Sequence, residues 1–72
     1  MIQLTRKQRE VLNYITRFRE VNGYSPSIRE IAKGTYLAAT RVHTILEELK
    51  DMEYITYKPN QPRTIRVMKF IA

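Results

Sequence analysis

The spacing of apolar residues in the first third of the chain predicts a helix from about Thr5 to Asn22. Thr5 and Gln8 have the spacing of a capping box, which pairs the free backbone N–H groups at a helix start. Gly23 is a stop signal, because glycine readily takes the left-handed conformation that ends helices. The apolar stripe of this helix comprises Val11, Leu12, Ile15 and Phe18.

Two more helices are predicted in the middle of the chain. Ser27 and Glu30 form a second capping box, and the short helix that they open ends at Gly34 and Thr35. A third helix runs from Ala38 to about residue 53, and its start has no capping side chain of the usual kind. The inward stripe of this third helix comprises Val42, Ile45, Leu46, Leu49 and Met52.

After residue 53 the spacing of apolar residues changes from the helical period to the alternation that is typical of strands. Residues 54–58 are rich in β-branched and aromatic side chains, and residues 64–68 alternate polar with apolar, so they predict an antiparallel hairpin. Residues 24–26, which proline restricts to extended geometry, are able to pair as an edge strand. This order predicts an α+β fold, a winged helix-turn-helix of three helices with a C-terminal β-hairpin wing, as a single domain over residues 1–72.

The spacing across the second and third helices favours a helix-turn-helix, although plain helical hairpins can share it. Ala32 is small where the third helix must cross, and Leu37 follows five residues later in the turn. Val42 and Ile45 come ten and thirteen residues after Ala32, on the inward side. The third helix is therefore predicted to read DNA.

The outward face of the third helix is fixed once its apolar stripe faces inward. The first two turns of that face are small or basic, which suits a helix that enters a major groove about 12 Å wide. Arg41 is expected to contact O6 and N7 of guanine, and the alanines to pack on thymine methyl groups. Two alternatives stay open for the Glu47 side chain: it points away from the phosphates, or it accepts a hydrogen bond from N4 of cytosine. The predicted base-reading residues are Ala38, Ala39, Thr40, Arg41, His43 and Thr44.

The net charge of +6 favours a polyanionic partner, with double-stranded DNA first. Residues 1–26 carry +3, residues 27–53 carry −1 and residues 54–72 carry +4, so both ends are basic. For several of these residues the alternative to a DNA contact is an ordinary solvated side chain or a helix cap. Ser27 is expected to cap the second helix before it serves as a DNA contact. Arg63 is expected to reach a phosphate or the minor groove. The predicted contacts to the DNA backbone are Arg6, Lys7, Ser25, Ser27, Arg29, Lys58 and Arg63.

Composition argues against catalysis, metal binding and a membrane partner. With no cysteine and one histidine, the chain has no nucleophile–base pair or metal-ligand set to propose. It also has no glycine-rich phosphate loop, secretory signal or transmembrane run. We therefore expect a cytoplasmic, non-enzymatic protein without cofactor or small-molecule substrate. Four aromatic residues are assigned to the core or its edge: Tyr14, Phe18, Tyr54 and Tyr57.

Several segments resemble the DNA-binding domain of the LexA repressor family. The most specific of them is GYSPSIREI at residues 23–31, and LTRKQ at residues 4–8 is similar to the first helix of that family. The resemblance covers residues 2–67, and it implies operator binding by the third helix in the major groove and transcriptional repression. Looser matches lie at residues 46–49, 54–55 and 62–65.

Two features depart from the family pattern. Residues 35–41 are one residue shorter than in many relatives, and residues 38–41 replace a tip rich in serine and asparagine, so the operator sequence does not carry over. Family members also carry a C-terminal self-cleaving and dimerising domain. The sequence ends at Ala72 without one, so we expect no autoproteolysis.

A second class of function stays open at this stage, a winged-helix module that binds another protein, such as a small phage-type regulator of host machinery. On DNA, affinity is expected to require two half-sites, either through a homodimer or with a protein partner. The apolar tail at residues 67–72 is one candidate contact surface. Alternatively, it completes the second strand and packs on the first helix.

Overall fold

Three helices and a short hairpin follow one another in the predicted order. The computed structural model describes residues 4–58, 60–61 and 63–69. The strands pair antiparallel, with Ile55 opposite Val67, and each is only two residues long. The winged helix-turn-helix prediction is therefore confirmed, with shorter strands than the alternating runs indicated. The elements are α1 (Arg6–Asn22), α2 (Ile28–Thr35), α3 (Ala39–Asp51), β1 (Ile55–Thr56) and β2 (Arg66–Val67).

Both predicted capping boxes are present. The Thr5 hydroxyl accepts from the Gln8 backbone N–H at 3.2 Å, and the Gln8 side chain accepts from the Thr5 N–H at 2.9 Å. Ser27 and Glu30 make the same reciprocal pair at the start of α2. Because these bonds join residues three apart, the start of each helix is set by local sequence.

The helix α2 ends at Thr35, as predicted, but Gly34 is not the residue that terminates it. Gly34 lies inside the last turn of the helix, and the left-handed residue that ends the helix is Tyr36, with φ of 60°. A Cβ atom at Gly34 would lie 2.1 Å from Cε2 of Tyr14, so the glycine makes room for a ring from α1. The signal attributed to helix termination at Gly34 is therefore a packing requirement between two helices.

The helix α3 begins without a side-chain cap and lies in the core along its inward stripe. Ala38 is the capping residue, and its side chain accepts no hydrogen bond. The helix ends at Asp51, slightly earlier than predicted, and Glu53 follows in the left-handed region with φ of 64°. Fully buried residues from all three helices and from β1 form the core. They are Val11, Leu12, Ile15, Ile31, Val42, Ile45, Leu46, Leu49 and Ile55.

The predicted aromatic positions lie at the edge of this core. Tyr14, Tyr54 and Tyr57 are half-buried and pack against it. Phe18 is also half-buried, with its ring centroid 6.0 Å from that of Tyr14 and 5.6 Å from that of Tyr24. Across the described stretches of chain, no helix combines the length and apolar character needed to cross a membrane.

Residues 24–26 do not form the edge strand that the sequence allowed. They connect to the hairpin through side chains instead: the buried Ser25 hydroxyl donates to the carbonyl of Ile65, and the Arg63 guanidinium donates to the Ser25 carbonyl at 3.1 Å. The tail beyond β2 follows the alternative in which it extends the hairpin, since the Met68 N–H donates to the Tyr54 carbonyl at 2.7 Å. Residues 70–72 of the predicted contact surface lie outside the described residues.

Candidate nucleic-acid interface

The first turns of α3 present an exposed surface that the core does not use. All six predicted base-reading residues are exposed, while Val42, Ile45, Leu46 and Leu49 on the inward side of the same helix are fully buried. Among the described residues this surface makes only weak side-chain contacts: the Thr44 hydroxyl donates to the Thr40 carbonyl at 3.1 Å, and Nε2 of His43 lies 4.0 Å from Oε1 of Glu47. A slim, exposed helix end has the shape that a major groove admits.

A groove lies beside this surface, between the start of α2, α3 and the hairpin. Its volume is about 430 Å³. It brings together five of the residues predicted from sequence, although they come from three separate parts of the chain: Ser27, Arg29, His43, Lys58 and Arg63. Four other polar residues line the groove that the sequence did not identify as DNA contacts, namely Tyr57, Asn60, Gln61 and Thr64. The signal for them was weak, because turn composition alone explained Asn60 and Gln61.

The two serines near the start of α2 have structural duties. Ser27 caps α2, as the sequence favoured, since its hydroxyl accepts from the Glu30 N–H at 3.2 Å. Ser25 is buried, and its hydroxyl is already bonded to the carbonyl of Ile65. A contact between Ser25 and a phosphate stays a prediction, and it would require the hydroxyl to leave the Ile65 carbonyl.

Arg63 also has partners within the protein. Its guanidinium donates to both oxygens of Glu30, at 2.8 and 3.3 Å, and lies 4.9 Å above the ring of Tyr24. The backbone N–H of Ser27 and the guanidinium of Arg63, in that order of effect, lower the pKa of the Glu30 carboxyl. In the free domain Arg63 joins the hairpin to α2, and its contact with a phosphate or the minor groove stays a prediction.

The remaining predicted backbone contacts fall into two groups. Arg29 and Lys58 are exposed at the groove, and within the part of the chain that the structure describes neither side chain takes part in an ion pair. Arg6 and Lys7 lie at the start of α1, away from that groove, and both approach the carboxylate of Glu10. The groove therefore offers two basic side chains for a phosphate, and α1 offers a separate pair.

A second cluster joins the far part of α3 to the hairpin. The Tyr57 hydroxyl donates to Oε1 of Glu47 at 2.7 Å, and Nζ of Lys50 lies 5.0 Å from the centre of the Tyr57 ring. Burial, followed by the hydrogen bond to Glu47, raises the pKa of Tyr57 to about 12. The hydroxyl is therefore protonated at neutral pH, and it holds the Glu47 carboxylate beside the exposed start of α3.

The described residues give no support to a metal centre. No three histidine, aspartate or glutamate side chains among them lie close enough to hold an ion. The arrangement is instead that of a binding surface, an exposed helix end flanked by a groove with basic side chains.

Comparisons with known proteins agree with this geometry. Residues 1–64 match the family model described as the LexA DNA binding domain. The chain is 42% identical over 69 residues to the LexA repressor of Thermosipho africanus, covering 96% of this chain and 35% of that protein. It is 39% identical over 69 residues to the LexA repressor of Staphylococcus aureus, covering 94% of this chain and 33% of that protein. The chain thus spans about a third of the length of these relatives. With a match over this length, the chain belongs to the LexA DNA-binding domain family.

Proposed function

We propose that this domain binds double-stranded DNA in a sequence-specific manner and represses transcription by occupying operator sites. The observation that carries the proposal is the exposed start of α3, where six small, polar or basic residues stand outside the core. The matched relatives are repressors by name, which supports the same role here. The domain would act by occupancy of DNA, with no catalytic step.

The roles of the side chains follow from their positions. We assign base reading to α3, with Arg41 as the main contact to guanine and the alanines against thymine methyl groups. We assign backbone contacts to Arg29 and Lys58, because both are exposed at the groove and free of ion pairs among the described residues. Base contacts supply sequence preference, and phosphate contacts supply affinity that falls with salt.

The test is selection of bound sequences from random DNA, followed by affinity measurements on the selected site over a range of salt. We expect an enriched motif, and Arg41→Ala should cost about 1–3 kcal/mol and relax preference at one position. Arg29→Gln should weaken binding to all sequences equally and reduce the salt slope by about 0.9. Arg66→Gln, which removes an exposed arginine that does not line the groove, is the matched control. Absence of any motif would overturn the proposal.

The same selection experiment tests whether two copies of the domain bind one DNA site. A symmetric motif with half-sites about 34 Å apart would fit two copies on one face of the duplex. Sedimentation with and without that DNA then shows whether the domain pairs before or after binding. A single asymmetric site bound by one copy would contradict a dimer.

A further inference from the structure

Tyr36, in the turn between α2 and α3, has a side chain that the fold does not require. The residue is left-handed, with φ of 60°, because the end of α2 needs that conformation for the backbone bonds to the Ala32 carbonyl. Glycine satisfies such a position without the steric cost of a side chain. The side chain of Tyr36 is nevertheless 95% exposed, and no hydrogen bond or aromatic pair of the described residues involves its ring.

Tyr36 borders an open groove on the opposite end of α2 from the groove described above. This second groove has a volume of about 440 Å³ and lies between α1 and the end of α2. Arg17 and Asn13 of α1 line it together with Tyr36. Tyr14 also lines it, and its ring fits against α2 because Gly34 has no side chain. The groove is therefore a defined feature of the packing between two helices.

The charge around the second groove suits an anion. Its one carboxylate, Glu10, lies 3.5 Å from Nε of Arg6 and 3.7 Å from Nζ of Lys7. Arg6 and Lys7 therefore pair with the acidic residue of this groove, and Arg17 is its basic lining residue. The Glu10 carboxylate is thus offset by its neighbours, and the guanidinium of Arg17 is left to act on a ligand.

The two grooves lie at opposite ends of α2. The helix α2 has eight residues, which gives a length of about 12 Å. One groove lies at its start and the other at its end, and the major groove of B-DNA is about 12 Å wide. Tyr36 also precedes Ala38 by only two residues, so one edge of the second groove lies next in sequence to the start of α3.

We propose that Tyr36 and Arg17 contact the phosphate backbone of the DNA strand that lies across the major groove from the hairpin. This inference rests on the proposed function, because it assigns a second strand to the same complex. The Tyr36 hydroxyl donates to a phosphate oxygen, and the Arg17 guanidinium supplies the charge. The hairpin and the turn between α2 and α3 then hold the two strands on either side of α3.

The test uses Tyr36→Gly, because this variant changes folding and binding in opposite directions. Replacing a left-handed tyrosine with glycine should maintain or raise stability against urea. Affinity for the selected DNA should nevertheless fall about 5- to 10-fold, the loss expected for one hydrogen bond. Tyr36→Phe should show most of this loss if the hydroxyl makes the contact. Arg17→Gln should reduce the salt slope by about 0.9, and Arg19→Gln on the same helix, outside the groove, is the matched control.

The outcomes separate this inference from the proposed function. If the parent domain selects a DNA motif while Tyr36→Gly and Arg17→Gln bind it with unchanged affinity and salt slope, the second contact is wrong and the proposed function stands. If the parent selects no motif, the proposed function has failed first. Loss of self-association without loss of DNA affinity in Tyr36→Gly would identify a protein contact at this surface and would also overturn the inference.

Discussion

The guanidinium of Arg63 is bonded to the carboxylate of Glu30, although the two residues are 33 positions apart in sequence. The same carboxylate accepts from the Ser27 N–H at 2.8 Å, so one side chain completes the cap of α2 and holds the hairpin. Exposed ion pairs contribute little to stability by themselves. The consequence of this pair is geometric, because it connects the hairpin to the helix that precedes the reading helix.

The first prediction concerns acid stability. The pKa of Glu30 is lowered from its ordinary value of 4.5, first by the Ser27 N–H and then by Arg63. A carboxyl with a lower pKa in the folded state stabilises the protein above its unfolded pKa and loses that effect as the pH falls through the folded value. Glu30→Gln should therefore reduce the difference in unfolding free energy between pH 7 and the acid range. Glu20→Gln, another carboxylate on an exposed helical position, is the control.

A second prediction separates positioning from phosphate contact at Arg63. Because its guanidinium is held within the protein, Arg63→Gln should weaken DNA binding by loosening the hairpin while leaving the salt slope nearly unchanged. Glu30→Gln should give a loss of similar size, and the double variant should lose less than the sum of the two. A drop of about 0.9 in the slope for Arg63→Gln would show instead that the residue leaves Glu30 for a phosphate.

The third prediction concerns Gly34. Replacing a glycine inside a helix with alanine ordinarily stabilises by about 1 kcal/mol. Here the new Cβ would meet the Tyr14 ring at 2.1 Å, so the half-buried ring must move and Gly34→Ala should destabilise by about 1–2 kcal/mol. In a Tyr14→Ala background the obstacle is absent, and the same substitution should become stabilising. Urea denaturation of the four variants measures the reversal, and a stabilising effect in both backgrounds would contradict the packing account.

A fourth prediction concerns the stability of the domain at alkaline pH. Burial and Glu47 raise the pKa of Tyr57 to about 12, above the ordinary value of 10.0. A raised pKa gives stability that is present below the unfolded value and is lost as the pH rises through the folded one. Relative to Tyr57→Phe, the parent should therefore lose stability between about pH 10 and 12. Parallel unfolding curves for the two proteins across that range would contradict the prediction.

Local sequence accounts for what was predicted well. The capping boxes at Thr5 and Ser27 depend on residues three positions apart, and the inward stripe of α3 depends on helical spacing. Sequence interpretation missed contacts where a distant partner decides the role of a residue. Ser25 bonds to Ile65, 40 positions away, and Gly34 accommodates a ring from α1. The residues next to Ser25 and Gly34 in sequence do not indicate which distant residue each one contacts.

The start of α3 is a surface outside the core, without a side-chain cap at Ala38. Its residues therefore carry almost none of the information that specifies the fold. Under the proposed function, substitutions there alter which DNA sequence is preferred while the scaffold stays intact, so recognition and foldability can evolve separately in this domain. Transplanting the tip of another family member onto this scaffold should accordingly transfer its operator preference along with it.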